Sequence, residues 1–176
     1  LGFIIACMLD CQDICFVPEG VFAIFIEKFS GINPGGDFVD KEGNYIGRHK
    51  GIIHYTIGQR RGLGIPAASR LYVCEISPKT NTVVLGDNSD LFSSELEADS
   101  VNLISVADLS EPKRVTAKIR YRHKEQPAIA WQTPDGILHV KFDEPQRAIT
   151  KGQAVVMYDG DEVVGGGVIN KIYSQS

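Results

Sequence analysis

The sequence predicts a mainly β protein made of two small β-barrel-like domains in series, with one short helix near the N-terminus. Three observations carry this reading. Apolar and polar residues alternate with a period of two from about residue 37 onward, glycine-bearing turns recur between the alternating runs, and only residues 21–29 show helical spacing.

Taken in order, residues 1–20 form an extended opening segment that ends in the turn material Pro18-Glu19-Gly20. Over 21–29, Phe22, Phe25, Ile26 and Phe29 recur three and four apart, the stripe of one amphipathic helix, which the glycines of 31–36 break. Strand then follows strand. The run 37–40 turns through Glu42-Gly43-Asn44 into 45–46, and 71–76 turns through 77–81 into 82–85. Further on, 128–133 returns through Pro134-Asp135-Gly136 into 137–142, and 154–158 meets 162–165 through Asp159-Gly160-Asp161. Short strands joined in this way point to barrels, because closure removes exposed sheet edges. Residues 87–97 are polar and turn-rich, so the division is placed near Leu91: an opening segment over 1–20, a central domain over 21–90 and a C-terminal barrel over 91–176.

Composition bounds the function. Of the 176 residues, 43% are hydrophobic and 23% charged, the balance of a chain that buries a core. No apolar stretch approaches the ~18 residues of a membrane helix, so the expected setting is cytoplasmic, without membrane contact. The chain opens at Leu1 rather than Met, in an apolar run without a charged leader, and an upstream portion is therefore expected. Four cysteines are too few for a disulfide scaffold, and three of them, Cys7, Cys11 and Cys15, crowd one end. They have no second pair of ligands to complete a zinc site, and His49, His54, His123 and His139 lack metal spacing, so no metal is expected.

Charge is segregated although the net value is only −4. No Asp or Glu occurs from Ile46 to Cys74, where Arg48, Lys50, Arg60, Arg61 and Arg70 lie, nor from Pro112 to Lys124, which holds Lys113, Arg114, Lys118, Arg120, Arg122 and Lys124. Two cationic strips on an acidic body are the footprint of a polyanion site. In the second strip, strand alternation puts Val115, Ala117, Ile119 and Tyr121 on one face and Arg114, Thr116, Lys118, Arg120 and Arg122 on the other. Such a row repels itself unless phosphates, or acids such as Glu125 or Asp143 from a neighbouring segment, lie opposite.

Three segments carry a resemblance: Asp10-Cys-Gln-Asp-Ile-Cys15-Phe-Val-Pro-Glu-Gly20, the glycine- and cation-rich run 47–65, and Lys118-Ile-Arg-Tyr-Arg122. Together with Phe142-Asp-Glu-Pro145, Gly152-Gln153 and Gly165-Gly-Gly-Val-Ile169, in that order, they resemble the bacterial tRNA-specific 2-thiouridylases. The resemblance implies a sulfurtransferase that replaces the 2-oxo group of the wobble uridine of tRNA. It implies that Cys15 carries sulfur as a persulfide, a task only a thiolate performs, and that Arg120, Tyr121 and Gln153 contact tRNA. Arg48, Lys50, Arg60 and Arg61 are second-tier contacts. Strict alternation puts Arg120 and Tyr121 on opposite faces, so either the strand ends there in a loop or one of the two faces away from RNA.

The whole enzyme is expected to use ATP and Mg2+ to activate the uridine oxygen, and to receive sulfur from a sulfur-relay or cysteine-desulfurase donor protein. The N-terminal domain that binds ATP is expected to be missing here. Gly62-Leu-Gly64 and Gly165-Gly-Gly167 lack the Gly-Lys-Ser/Thr ending of a phosphate loop, so this chain by itself is expected to hold no cofactor and to be inactive. The family pattern has Asp-Ser where this chain has Asp10-Cys11. Oxidation of Cys11 with Cys15 would trap the carrier, whereas a buried swap would be inert, and the roles of Cys7 and Cys11 stay open. The rival readings are a non-catalytic RNA-binding β-barrel module, and a module that docks acidic protein partners.

Overall fold

The computed structural model describes residues 34–66, 69–121 and 123–173. The expected helix over 21–29, Cys7, Cys11, Cys15 and Arg122 lie outside the described residues. Within them the regular structure is almost all strand, in one open sheet and one closed barrel.

The open sheet contains β1 (Gly36–Val39), β2 (Tyr45–His49), β3 (Tyr72–Ser77) and β4 (Thr82–Gly86), in the order β2-β1-β4-β3. The two hairpins read from the turn chemistry, β1 with β2 and β3 with β4, are both present. They are joined by a parallel pairing of β1 with β4, in which Asp37 faces Thr82. These strands are short, and much of their core comes from the long connection between β2 and β3. Tyr55 is buried with Phe38, Val73, Val83 and Leu85, and Ile52, Ile57, Leu63 and Ile65 pack on the same cluster.

The barrel comprises β5 (Phe92–Leu103), β6 (Lys113–Lys118), β7 (Gln126–Gln132), β8 (Leu138–Arg147), β9 (Ala154–Asp159) and β10 (Glu162–Tyr173), closed in the order β10-β5-β8-β7-β6-β9. Alternation sends Leu96 and Ala98, Val115 and Ala117, Ala128 and Ala130, Leu138 and Val140, and Val155 and Met157 inward, all nearly inaccessible. The alanines of β7 leave room for the larger side chains opposite.

β10 closes the barrel between β5 and β9, and its glycines make that possible. A Cβ on Gly166 would stand 2.3 Å from the carbonyl oxygen of Val155, and one on Gly167 would stand 2.7 Å from that of Asp99. No side chain fits at such distances, which explains the Gly165-Gly166-Gly167 run.

Gly166→Ala is expected to lower unfolding free energy by about 1–3 kcal/mol, the usual range for forced overpacking, read as a fall in the urea midpoint. Val168→Ala, on an exposed position of the same strand, should stay within about 0.5 kcal/mol of the parent chain.

Candidate nucleic-acid interface

The first acid-free strip is built around a histidine. His49 is 4% exposed, and its Nδ1 accepts hydrogen bonds from the backbone N–H of Gly36 (3.3 Å) and Gly51 (3.0 Å). That arrangement requires an unprotonated Nδ1, so Nε2 carries the hydrogen and donates to the Asn81 carbonyl at 3.1 Å. The ring packs edge-on against Phe38 and Tyr55. Burial pushes its pKa below the usual histidine value, with the Asn81 contact opposing in part.

After the turn at Gly51 the connection is pinned to the sheet. The Gly58 N–H donates to Val73 O (2.8 Å), and the Val73 N–H donates to Gln59 O (2.9 Å). The Gln59 side chain braces the loop from within, accepting from the Thr56 N–H and donating to Arg61 O at 2.9 Å. The loop is therefore a fixed mount for cations. Arg60 and Arg61 project from it exposed, and among the described residues neither has an ion-pair partner; the same holds for Lys50. Arg48 is exposed and lies 3.9 Å from its cross-strand neighbour Asp37, a loose pair. Arg60, Arg70 and Ser69 border an open cleft of about 230 Å³ floored by Leu63, Ile65 and Leu71, with no acid in its lining.

The second strip behaves differently from the bare ladder its alternation allowed. Lys113 pairs with Asp159 at 2.8 Å, Arg114 forms a two-pronged pair with Asp143, and Lys118 pairs with Glu125 at 3.1 Å. Neighbouring acids thus neutralise the strand, and of the two ways open to relieve its repulsion the protein uses carboxylates. Glu125 also accepts from the Thr116 hydroxyl, which with Lys118 holds its pKa low.

β6 ends at Lys118, which resolves the conflict over Arg120 and Tyr121: both lie in the turn beyond the strand. Tyr121 is 79% exposed. Arg120 turns inward, its Nη2 donating to Ala148 O (2.6 Å) and Thr150 Oγ1 (3.2 Å). Its Nε is buried without a partner. Gln153 is exposed at the turn before β9, where its N–H donates to Thr150 O and its carbonyl accepts from the Ile169 N–H. Arg120 and the Gln153 turn therefore converge on Thr150, with Tyr121 beside them in sequence. Arg48 and Lys50 have no described contact with this group.

The same region holds Arg147, which charge-window reading misses because it follows Asp143 and Glu144. Its guanidinium reaches across to the sheet, toward Gly58 O and Asn88 Oδ1, over the ring of Tyr72. For covalent chemistry the described residues offer one thiol, Cys74, and burial pushes its pKa up to about 11, so it is a poor nucleophile. Among the described residues no group of three or more His, Cys, Asp or Glu could hold a metal, and no helix is long and apolar enough to cross a membrane. What this surface offers is fixed, unpaired cations and an exposed ring, the means of gripping phosphates and stacking a base.

Comparison with known proteins adds two family matches. Residues 24–87 match the tRNA methyl transferase PRC-barrel domain, and residues 93–169 match the aminomethyltransferase beta-barrel domain. The chain is 54% identical over 163 residues to the tRNA-specific 2-thiouridylase MnmA of Clostridioides difficile, covering 92% of this chain and 45% of that protein. It is 52% identical over 171 residues to the protein of the same name in Acetivibrio thermocellus (96% and 47%), and 48% identical over 173 residues to that of Lachnoclostridium phytofermentans (97% and 48%). The chain spans about half the length of these relatives.

A pH dependence follows from His49. Its folded pKa lies below the ordinary 6.5, so its contribution to stability is complete above that value and is lost as pH falls through the folded one. His123, lowered by burial and by Arg120, titrates in the same sense. Urea unfolding should show the parent chain losing stability from about pH 7.5 to about pH 5, and His49→Gln should lose less over that interval. Equal losses in the two proteins would show that His49 is not a source of the acid sensitivity.

Proposed function

Since the chain belongs to the family of the tRNA-specific 2-thiouridylases, we propose that it supplies Cys15 as sulfur carrier, and part of the RNA grip, for conversion of the wobble uridine of tRNA to 2-thiouridine. The observation that carries the binding half of this reading is the convergence of Arg120, Tyr121 and the Gln153 turn around Thr150, beside exposed cations without acids. The catalytic half rests on the Ile14-Cys15-Phe16 motif, which lies outside the described residues.

In this reading the Cys15 thiolate takes sulfane sulfur from a donor protein as a persulfide; its terminal sulfur attacks the uridine ring as the activated 2-oxygen leaves, and a second thiol of the whole enzyme breaks the S–S bond, supplying the two electrons and ending in a disulfide with Cys15. Activation of the uridine oxygen by ATP and Mg2+ belongs to the whole enzyme. Among the described residues, Gly62-Leu-Gly64 and Gly165-Gly-Gly167 lack the Gly-Lys-Ser/Thr ending of a phosphate loop. Tyr121 offers its ring to an unstacked base, while Arg60, Arg61 and Lys50, with Arg48 at the edge, attract the phosphate backbone. The setting proposed is the cytoplasm.

In the complete enzyme, Cys15→Ser is expected to abolish thiolation, measured by mass spectrometry of tRNA nucleosides, while tRNA affinity stays within about threefold, well short of a lost base contact. Thiolation that survives would leave a non-catalytic RNA-binding module. Tyr121→Ala is expected to weaken tRNA binding by about 1–3 kcal/mol, the cost of one lost base stack, read by fluorescence anisotropy at fixed salt. Undiminished affinity would remove that ring from the interface.

A further inference from the structure

The two acid-free stretches, far apart in sequence, meet at Ala148. This residue is 2% exposed and has φ 56, a left-handed backbone that a non-glycine residue adopts only when its surroundings enforce it. The enforcement is visible. Its N–H donates to Leu91 O at 2.7 Å, and its carbonyl accepts from Arg120 Nη2 at 2.6 Å and from Thr150 Oγ1 at 3.0 Å. From the sheet side, Gly58 presses against it: a Cβ there would stand 3.3 Å from both Ala148 Cβ and Arg147 Nη1. Arg120 of the barrel, Arg147 at the end of β8 and the Gly58 loop that mounts Arg60 are thereby gathered at the seam of sheet and barrel.

Like Lys124 and Lys141, the two guanidiniums at this seam lack what five other cations of the barrel have among the described residues. Lys113, Arg114, Lys118, Lys151 and Lys171 each lie within 4.0 Å of a carboxylate. Arg120 and Arg147 have no carboxylate partner among the described residues. Arg147 makes only long contacts, 3.4 Å to Asn88 Oδ1 and 3.5 Å to Gly58 O, both neutral acceptors, and its Nη1 has no described acceptor. Arg120 keeps a buried Nε without any acceptor. Burial destabilises its charge, and so does repulsion from Arg147. Two like charges at one seam, neither answered by a carboxylate among the described residues, share one need, an anion with several acceptor oxygens. A phosphate group satisfies it, and the planar forks of two arginines suit it.

We infer that Arg120 and Arg147 form a seat for one phosphate group of the RNA backbone at the seam, so that bound RNA ties the open sheet to the barrel. The inference rests on the tRNA-binding reading for the source of the phosphate. The chemistry of the seat is independent of it.

The experiment therefore has two arms, each with Arg147→Gln, Arg147→Lys and, as a control on a cation already paired with Asp143, Arg114→Gln. In the first, thermal unfolding is followed in inorganic phosphate and in chloride at matched ionic strength. The parent chain, Arg147→Lys and Arg114→Gln should gain Tm in phosphate, and Arg147→Gln should gain distinctly less. In the second, tRNA affinity is measured from 50 to 200 mM monovalent salt. One lost phosphate contact reduces the loss of affinity over that range by about 3.5-fold, from a slope of roughly 0.9 per phosphate, and this reduction is expected for Arg147→Gln alone. A phosphate-specific gain in Tm that depends on Arg147, in a chain with no affinity for tRNA, would support the seat and refute the tRNA reading. A full gain in Tm together with an unreduced salt dependence in Arg147→Gln would overturn the seat.

Discussion

Barrel closure is the constraint on which the rest depends. β10 must pair with β9 over residues 162–168 and with β5 over residues 165–173, and in the overlap Gly166 and Gly167 keep the path free of side chains. Once closed, the barrel fixes where β6 ends and where β8 ends. Those two ends carry Arg120 and Arg147, and the turn from β8 into β9 carries Thr150 and Gln153. The candidate RNA face is thus assembled from chain segments at one end of a rigid barrel, the arrangement that lets loops carry function on a fixed frame.

Electrostatics then divides the cations into two groups. Along β6 the acids of β8, β9 and the following loop neutralise each lysine and arginine in turn, and such exposed pairs contribute little to stability. Their effect is on where positive potential remains. With the strand neutralised, unpaired charge is left on the 58–61 loop and around Ala148, where no carboxylate among the described residues answers it. A polyanion approaching this molecule meets a focused field despite the net negative charge of the chain.

Much of this was legible in the sequence, and the limits have physical causes. Four of the five hairpins were readable, because turn residues such as Glu42-Gly43-Asn44, Pro134-Asp135-Gly136 and Asp159-Gly160-Asp161 act through local backbone preferences, whereas the turn that pairs β6 with β7 carries no such signal. The parallel pairing of β1 with β4 and the joining of β5 to β10 were not, since nothing local encodes which distant edges meet. The face on which Arg114 and Lys118 lie followed from alternation, but the end of β6 did not, because Ile119 remains buried and continues the apolar period past the last paired residue. Arg147 escaped notice because its sequence neighbours are acidic while its spatial neighbours are Gly58, Tyr72 and Asn88. In the sequence His49 is one of four histidines without metal spacing, and only the fold shows it to be the neutral peg that closes the turn at Gly51.

The adjacency of β5 and β10 has a consequence for how the molecule is made. These are the first and last strands of the barrel, so while residues 162–173 remain within the ribosome, β5 and β9 each have an open edge and the barrel cannot close. Long-range strand pairing of this kind is slow and leaves nascent edges free to join other chains. The sheet of residues 36–86, complete much earlier in synthesis, has no such wait. During translation the hazard of misassembly falls on the half that bears Arg120 and Arg147.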